Sequence, residues 1–278
     1  MRRETASHVG ALLKDWRSAR RLSQLDLAYK AEVSSRHLSF VETGRAQPSR
    51  EMVTRPADAL DVPLRERNAL LLAAGYAPQY RETVLAAPEL ATVRRALDVM
   101  LRHHEPYPAF VFNRHWDLLM TNQGSTRFFS YLIGAPRRHS NIMHNVFDPA
   151  ALRSTIVNWE ECAGDLIRHL HNEVAAAPTD ERTRKLLADV LAYPDVPRRW
   201  HARQPGAPTT PLLTAVYRRG SQEFRFFSTI ATFGTPQDVT LEELRIECTF
   251  PADEATAIAY QALFGGETVT SAPTRSPA

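Results

Sequence analysis

The stretch 23–44 reads SQLDLAYKAEVSSRHLSFVETG, and its pattern decides how the N-terminal part folds. Residues 24–31 set Leu25, Leu27, Ala28 and Ala31 along one side of a short helix. Residues 34–42 set Leu38 and Val41 three apart, which gives a second short helix its own inward face. Ala28 is small where two crossing helices must approach closely. The outward face of the second helix then shows Ser35, Arg36, His37, Ser39 and Phe40, a set with little to gain from an intramolecular core.

Two short helices around a tight turn, the second with polar and cationic side chains outside, form the arrangement by which a helix-turn-helix offers its second helix to the DNA major groove. Charge points the same way. Residues 1–78 hold 13 Lys and Arg against 9 Asp and Glu, whereas the remainder holds 21 against 22, so the excess sits with this motif. The chain has 278 residues, 44% hydrophobic and 23% charged, enough for two ordinary globular domains. Cys162 and Cys248 lie far apart without a CxxC partner, which favours free thiols in a reducing, cytoplasmic setting, with one disulfide the alternative. No apolar run reaches the roughly 18 residues of a membrane helix, and the N-terminus lacks the apolar segment of a signal peptide.

Outward from the motif, Val9, Leu12, Leu13, Trp16 and Ala19 recur at helical spacing, with Lys14, Asp15, Arg17 and Arg20 on the outside. Ser23 is placed to cap the next helix, and Gly44 suits a left-handed helix end. Ser49 caps a fourth helix, in which Pro56 predicts a kink or break. A fifth, 64–74, packs Leu64, Leu70, Leu71 and Leu72. Glu32 occupies the turn position where glycine is common, at a cost of about 1 kcal/mol if its φ is positive.

Residues 89–104 read as a linking helix with Leu90, Val93, Leu97, Met100 and Leu101 on one stripe. Segments 109–113 and 116–122 predict a β-hairpin, and 212–218, 223–232 and 244–250 three further strands. In the last strand Leu244, Ile246, Cys248 and Phe250 alternate with Arg245, Glu247 and Thr249, which predicts one covered and one wet face. Residues 125–132, 150–174 (broken or long), 180–191 and 254–264 read as helices, and 267–278 as a disordered tail. Strands at both ends of a helical middle describe an α+β domain with an antiparallel sheet of about five strands.

The runs SSRHLSFVETGRAQPSREMV and ALDVPLRERNALLLAAGYAP resemble the Xre/lambda-repressor-like helix-turn-helix regulators. PAFVFNRHWDLLMTN, NVFDPAALRSTIVNWEECAGDLI and FFSTIATFGTPQDVTLEELRIECTFPAD resemble the PAS-like ligand-binding domain of MmyB-type transcription regulators. The resemblance implies an all-α five-helix DNA-binding domain at 1–78, a linker and linking helix at 79–104, and a PAS-like α+β domain at 105–266. It also implies a dimeric bacterial repressor or activator with a small apolar, fatty-acid-like effector and no further cofactor.

Matching the motif position by position puts Ser35, Arg36 and Phe40 in the groove, with Ser34, His37 and Ser39 adjacent. Arg36 can donate two hydrogen bonds to guanine, and Phe40 can meet a thymine methyl; the alternative is Phe40 turned inward against Trp16 or another helix. Gln24 is placed for phosphate or for capping, and Arg45 and Gln47 for backbone contact or solvent. The candidate effector residues are Phe110, Phe112, Trp116, Leu118, Met120, Phe128, Phe129, Phe147, Trp159, Phe224, Phe226 and Ile230, with plain core as the alternative for each. Asn122, Arg127, His103 or His104 could receive a polar head. GxSxG, HExxH, GxGxxG and P-loop motifs are absent, and His169 and His171 are spaced to opposite sides of a helix, so neither an enzyme nor a metal site is expected. The rival readings are a ligand-independent regulator whose second domain dimerises or binds a protein, and an enzyme tethered by the motif.

Overall fold

The computed structural model describes residues 2–177, 180–203 and 212–265. The chain forms two compact units. One comprises 1–87 with 233–243, the other 88–232 with the chain from 244 on.

The first unit holds α1 (Arg2–Ala19), α2 (Gln24–Lys30), α3 (Ser35–Glu42), α4 (Arg50–Ala59) and α5 (Leu64–Ala73). Its core gathers Val9, Leu13 and Trp16 from α1 with Leu27, Leu38, Val41, Val53 and Leu71. The expected caps are present. Ser23 forms a reciprocal capping box with Asp26, Ser49 caps α4 and Gly44 closes α3 at φ 70°, while Ser34, which the sequence places only beside the DNA face, caps α3. Glu32 sits at φ 53°, the left-handed conformation that favours glycine.

Five expectations are corrected here. Leu25 is 70% exposed, because the buried stripe of α2 runs through Leu27, Ala28 and Ala31 and turns Leu25 outward with Tyr29. Leu72 likewise faces out, and Ala19 is exposed at the end of α1. Arg17, expected outside, folds back over the core edge to meet Glu42. Pro56 does not break α4: only one helical hydrogen bond is lost, and the ring is buried with Met52, Val53 and Ala57.

The second unit is built on a five-stranded antiparallel sheet. Its strands are β1 (Ala109–Phe112), β2 (Leu118–Thr121), β3 (Thr214–Arg219), β4 (Gln222–Ala231) and β5 (Arg245–Pro251), in the order β2-β1-β5-β4-β3. Residues 91–103 form α6 (Ala91–His103), which packs on β1, buries Leu97 and Leu101, and belongs to this unit; Met100 of its expected stripe is exposed. His104, next after it, meets the ring of Phe250 edge-on at 4.8 Å. The inner face is covered by α7 (Gln123–Ile133), α8 (Ile142–Phe147), α9 (Trp159–Ala176), α10 (Glu181–Leu191) and, after β5, α12 (Glu254–Phe264). The segment 150–174, expected as a broken or a long helix, is broken: a turn of 3-10 helix at Arg153–Thr155 precedes α9, which begins at Trp159. The tail 267–278 lies outside the described residues.

Between β4 and β5 the chain leaves this unit. Residues 233–243, including α11 (Val239–Glu243), belong to the first unit and are tied there at several points. Arg65 of α5 donates to Glu243 through Nε at 2.7 Å and also pairs with Glu82. The Leu64 amide donates to Glu242 at 2.8 Å, and the Thr83 hydroxyl to Asp238 at 2.6 Å. No described helix is long and apolar enough to cross a membrane.

Candidate DNA-reading face and effector site

The α3 helix is anchored on one side and open on the other. Leu38 and Val41 are fully buried, and the Glu42 side chain is 1% exposed. Glu42 accepts from Arg17 Nε at 2.7 Å, Arg17 Nη2 at 2.8 Å and Gln24 Nε2 at 2.8 Å. This fork joins α1, α2 and α3. Burial works against the Glu42 carboxylate, but the Arg17 and Gln24 hydrogen bonds outweigh it and hold its pKa below the ordinary 4.5. Gln24 therefore spends its amide donor inside the domain; Ser23, not Gln24, is the cap.

The open side carries Ser35, Arg36 and His37, all exposed, with Ser39 and Phe40 half-buried. Phe40 is outside the Trp16 core, and its ring carries the Arg36 guanidinium 5.5 Å from the centroid. That contact pre-positions a planar two-pronged donor on the outer surface of the helix. Ser34 accepts from the His37 amide. In the loop after α3, Arg45 is exposed, while Gln47 donates to the Ala74 carbonyl at 2.8 Å.

In the second unit the expected aromatic residues converge, with exceptions. Phe110, Phe112, Trp116, Phe128, Phe129, Phe147, Trp159, Phe224 and Phe226 share one cluster, with Leu118 packed at its margin. Phe128 is its hub: Phe226 lies 5.3 Å away, and Phe224, Tyr217 and Tyr260 each 5.5 Å. Trp116 and Trp159 satisfy their indole N–H groups on Glu173 and the Val146 carbonyl.

Three expected ligand residues do not fit. Met120 pairs with Val111 instead, because a bulge beside Phe112 shifts the register and leaves Leu118 opposite Phe112. Ile230 is 51% exposed and stands apart from the buried cluster. Asn122 cannot receive a head group: its Oδ1 accepts from Ala109 and Ser125, and its Nδ2 donates to Leu101 and Tyr107. Of the other head-group candidates, Arg127 pairs with Glu105, and His103 and His104 are hydrogen-bonded to the Val99 and Thr249 carbonyls.

The expectation of a wet face on β5 is also corrected. Phe110 of the aromatic cluster lies opposite Glu247, so Arg245, Glu247 and Thr249 point to the cluster side of the sheet. Ile246 and Val111 are buried on the other face. Both faces are covered.

Residues 93–263 match the MmyB-like transcription regulator ligand binding domain, and residues 8–70 match a helix-turn-helix domain. The chain belongs to the MmyB-like transcription regulators. A comparison with curated proteins found no match. This regulator thus joins a DNA-binding helix-turn-helix to a ligand-binding domain. The Arg17–Glu42–Gln24 fork escapes a reading of the sequence, because each of the three residue types is common on surfaces. The inward position of Glu247 escapes it because alternation alone does not say which faces another element covers.

Proposed function

We propose that the regulator binds operator DNA as a homodimer, reads base edges with α3, and changes affinity when a small apolar, fatty-acid-like effector occupies the second unit. The carrying observation is the exposed Arg36, braced on Phe40, on a helix whose opposite side is fixed by Leu38, Val41 and Glu42. Arginine so held suits guanine O6 and N7, a contact worth roughly 1–3 kcal/mol of discrimination. Two protomers would set their α3 helices about 34 Å apart on a pseudo-palindromic site. The setting is the bacterial cytoplasm, in keeping with two free cysteines.

Effector control has a covalent route. The ends of β4 and β5 continue into residues 233–243, which are held within the first unit by Arg65 and Thr83. A ligand that shifts those strand ends biases the DNA-binding unit only as far as it prefers one arrangement over another. The test is solvent extraction of the purified protein with mass spectrometry, followed by gel-shift titration with the recovered compound. A copurified apolar molecule that changes DNA affinity supports the proposal. One specific observation favours a second reading, a ligand-independent regulator: Phe112, Phe128, Phe147, Phe224 and Phe226 are at most 2% exposed and pack as plain core. An empty extract, with DNA binding indifferent to test chains of roughly C10–C18, would favour it.

A further inference from the structure

On the open side of α3 the Arg36 guanidinium lies over the Phe40 ring, 5.5 Å from its centroid. A ring contact of this kind takes up no hydrogen-bond acceptor. Arg36 makes no hydrogen bond or ion pair among the described residues, so its N–H fork is free. Phe40 stands outside the apolar core of the first unit and is half-buried. The backbone beneath the pair is fixed. The Phe40 carbonyl accepts from the Arg45 amide at 2.7 Å and from the Ala46 amide at 3.1 Å, and Leu38 and Val41 between the two residues and after them are fully buried. Fork and ring are therefore presented together, at a set separation.

Resting on the DNA-reading proposal above, we infer that Arg36 and Phe40 read two adjacent base pairs as one unit: a guanine and, beside it, a pyrimidine that carries a C5 methyl. Thymine and 5-methylcytosine satisfy the second position alike, and unmethylated cytosine does not.

The fork matches guanine O6 and N7, and the ring matches a methyl group. The two targets cannot share one ordinary base pair, because guanine pairs with cytosine, which has no methyl. Neighbouring pairs are about 3.4 Å apart along the duplex axis, and next-but-one pairs about 6.8 Å. A separation of 5.5 Å spans one step, with the remainder taken up across the groove, and falls short of two. At the first position adenine presents an N6 donor to the arginine donors and is rejected. At the second, thymine and 5-methylcytosine differ at the C4 substituent, which a hydrocarbon ring does not read, and share the methyl, which it does.

The test begins with selection of bound sites from random duplex DNA by the full-length protein, followed by gel-shift titration of the enriched duplex at one salt concentration. Each thymine flanking the guanine that depends on Arg36 is replaced by deoxyuridine, which lacks only the methyl, and then by cytosine or 5-methylcytosine paired with guanine. Deoxyuridine at one flanking position should weaken binding about fourfold, the effect of one buried methyl. 5-Methylcytosine there should bind more tightly than cytosine by a similar factor. Phe40→Ala should bind the thymine and deoxyuridine duplexes equally. An enriched duplex without a thymine beside that guanine, indifference to deoxyuridine, or a methyl effect that persists in folded Phe40→Ala overturns the inference, while the guanine preference leaves the DNA-reading proposal standing. Failure to enrich any sequence overturns both. If Phe40→Ala does not fold, the wild-type response to deoxyuridine and 5-methylcytosine decides.

Discussion

Glu42 is the residue on which the geometry of the reading helix turns. With its side chain 1% exposed and Arg17 12% exposed, removal of one partner leaves the other charge buried. Breaking such a pair costs about 3–5 kcal/mol. Glu42→Ala is therefore expected to abolish protection from hydrogen exchange across α1–α3, while amides of the sheet keep theirs. Because the folded pKa of Glu42 is depressed, its contribution is complete above the ordinary 4.5 of a free glutamate and is lost as the pH falls below it. Exchange in α1–α3 should accelerate over that acid range in the wild type, and Glu42→Gln should flatten the dependence. Arg36 and Phe40 were legible from the sequence as an outward pair at i, i+4. The fork behind them was not, since nothing in the chain's local pattern links residue 17 to residue 42.

At the scale of the elements, caps and turns follow local chemistry and could be read directly. Ser23 and Ser49 cap helix starts and Gly44 closes a helix end, where their side chains or conformational freedom require. Glu32 in the turn between α2 and α3 is a local cost: at φ 53° a glycine is relieved of it. Glu32→Gly should stabilise the first unit by about 1 kcal/mol, read as a higher midpoint in urea with an unchanged slope. No rise would mean that the Arg55 contacts to Glu32 offset the strain. Elements that depend on distant partners were less legible. Pro56 predicts a kink or a break in α4 because the penalty of its missing N–H is local, while the burial that keeps the helix unbroken is not. The alternation in β5 gave the strand correctly but misplaced Glu247, since only pairing with Phe110 shows what lies over it.

For the whole molecule the decisive feature is topological: residues 233–243 interrupt the sheet's own unit and join the DNA-binding one. Hydrogen bonding to Glu243 and to Glu82 raises the Arg65 pKa despite burial, so this tie stays charged throughout the physiological range. Arg65→Ala should leave effector affinity unchanged and shrink the effector's influence on DNA binding, which for coupling of about 1–3 kcal/mol is 5–150-fold in the wild type. Undiminished coupling in that variant, measured by gel shift with and without effector, would place the route elsewhere. The claim beneath all of this is that the outer side of α3 reads base edges. Its most direct measurement begins with selection of bound sites from random duplex DNA, followed by titration of the selected operator and single-base-pair variants with wild-type and Arg36→Ala protein at one salt concentration. Arg36→Ala should bind the operator about 1–3 kcal/mol more weakly and become indifferent to one base pair in each half-site. Uniform weakening on every sequence, or no change at all, would contradict it.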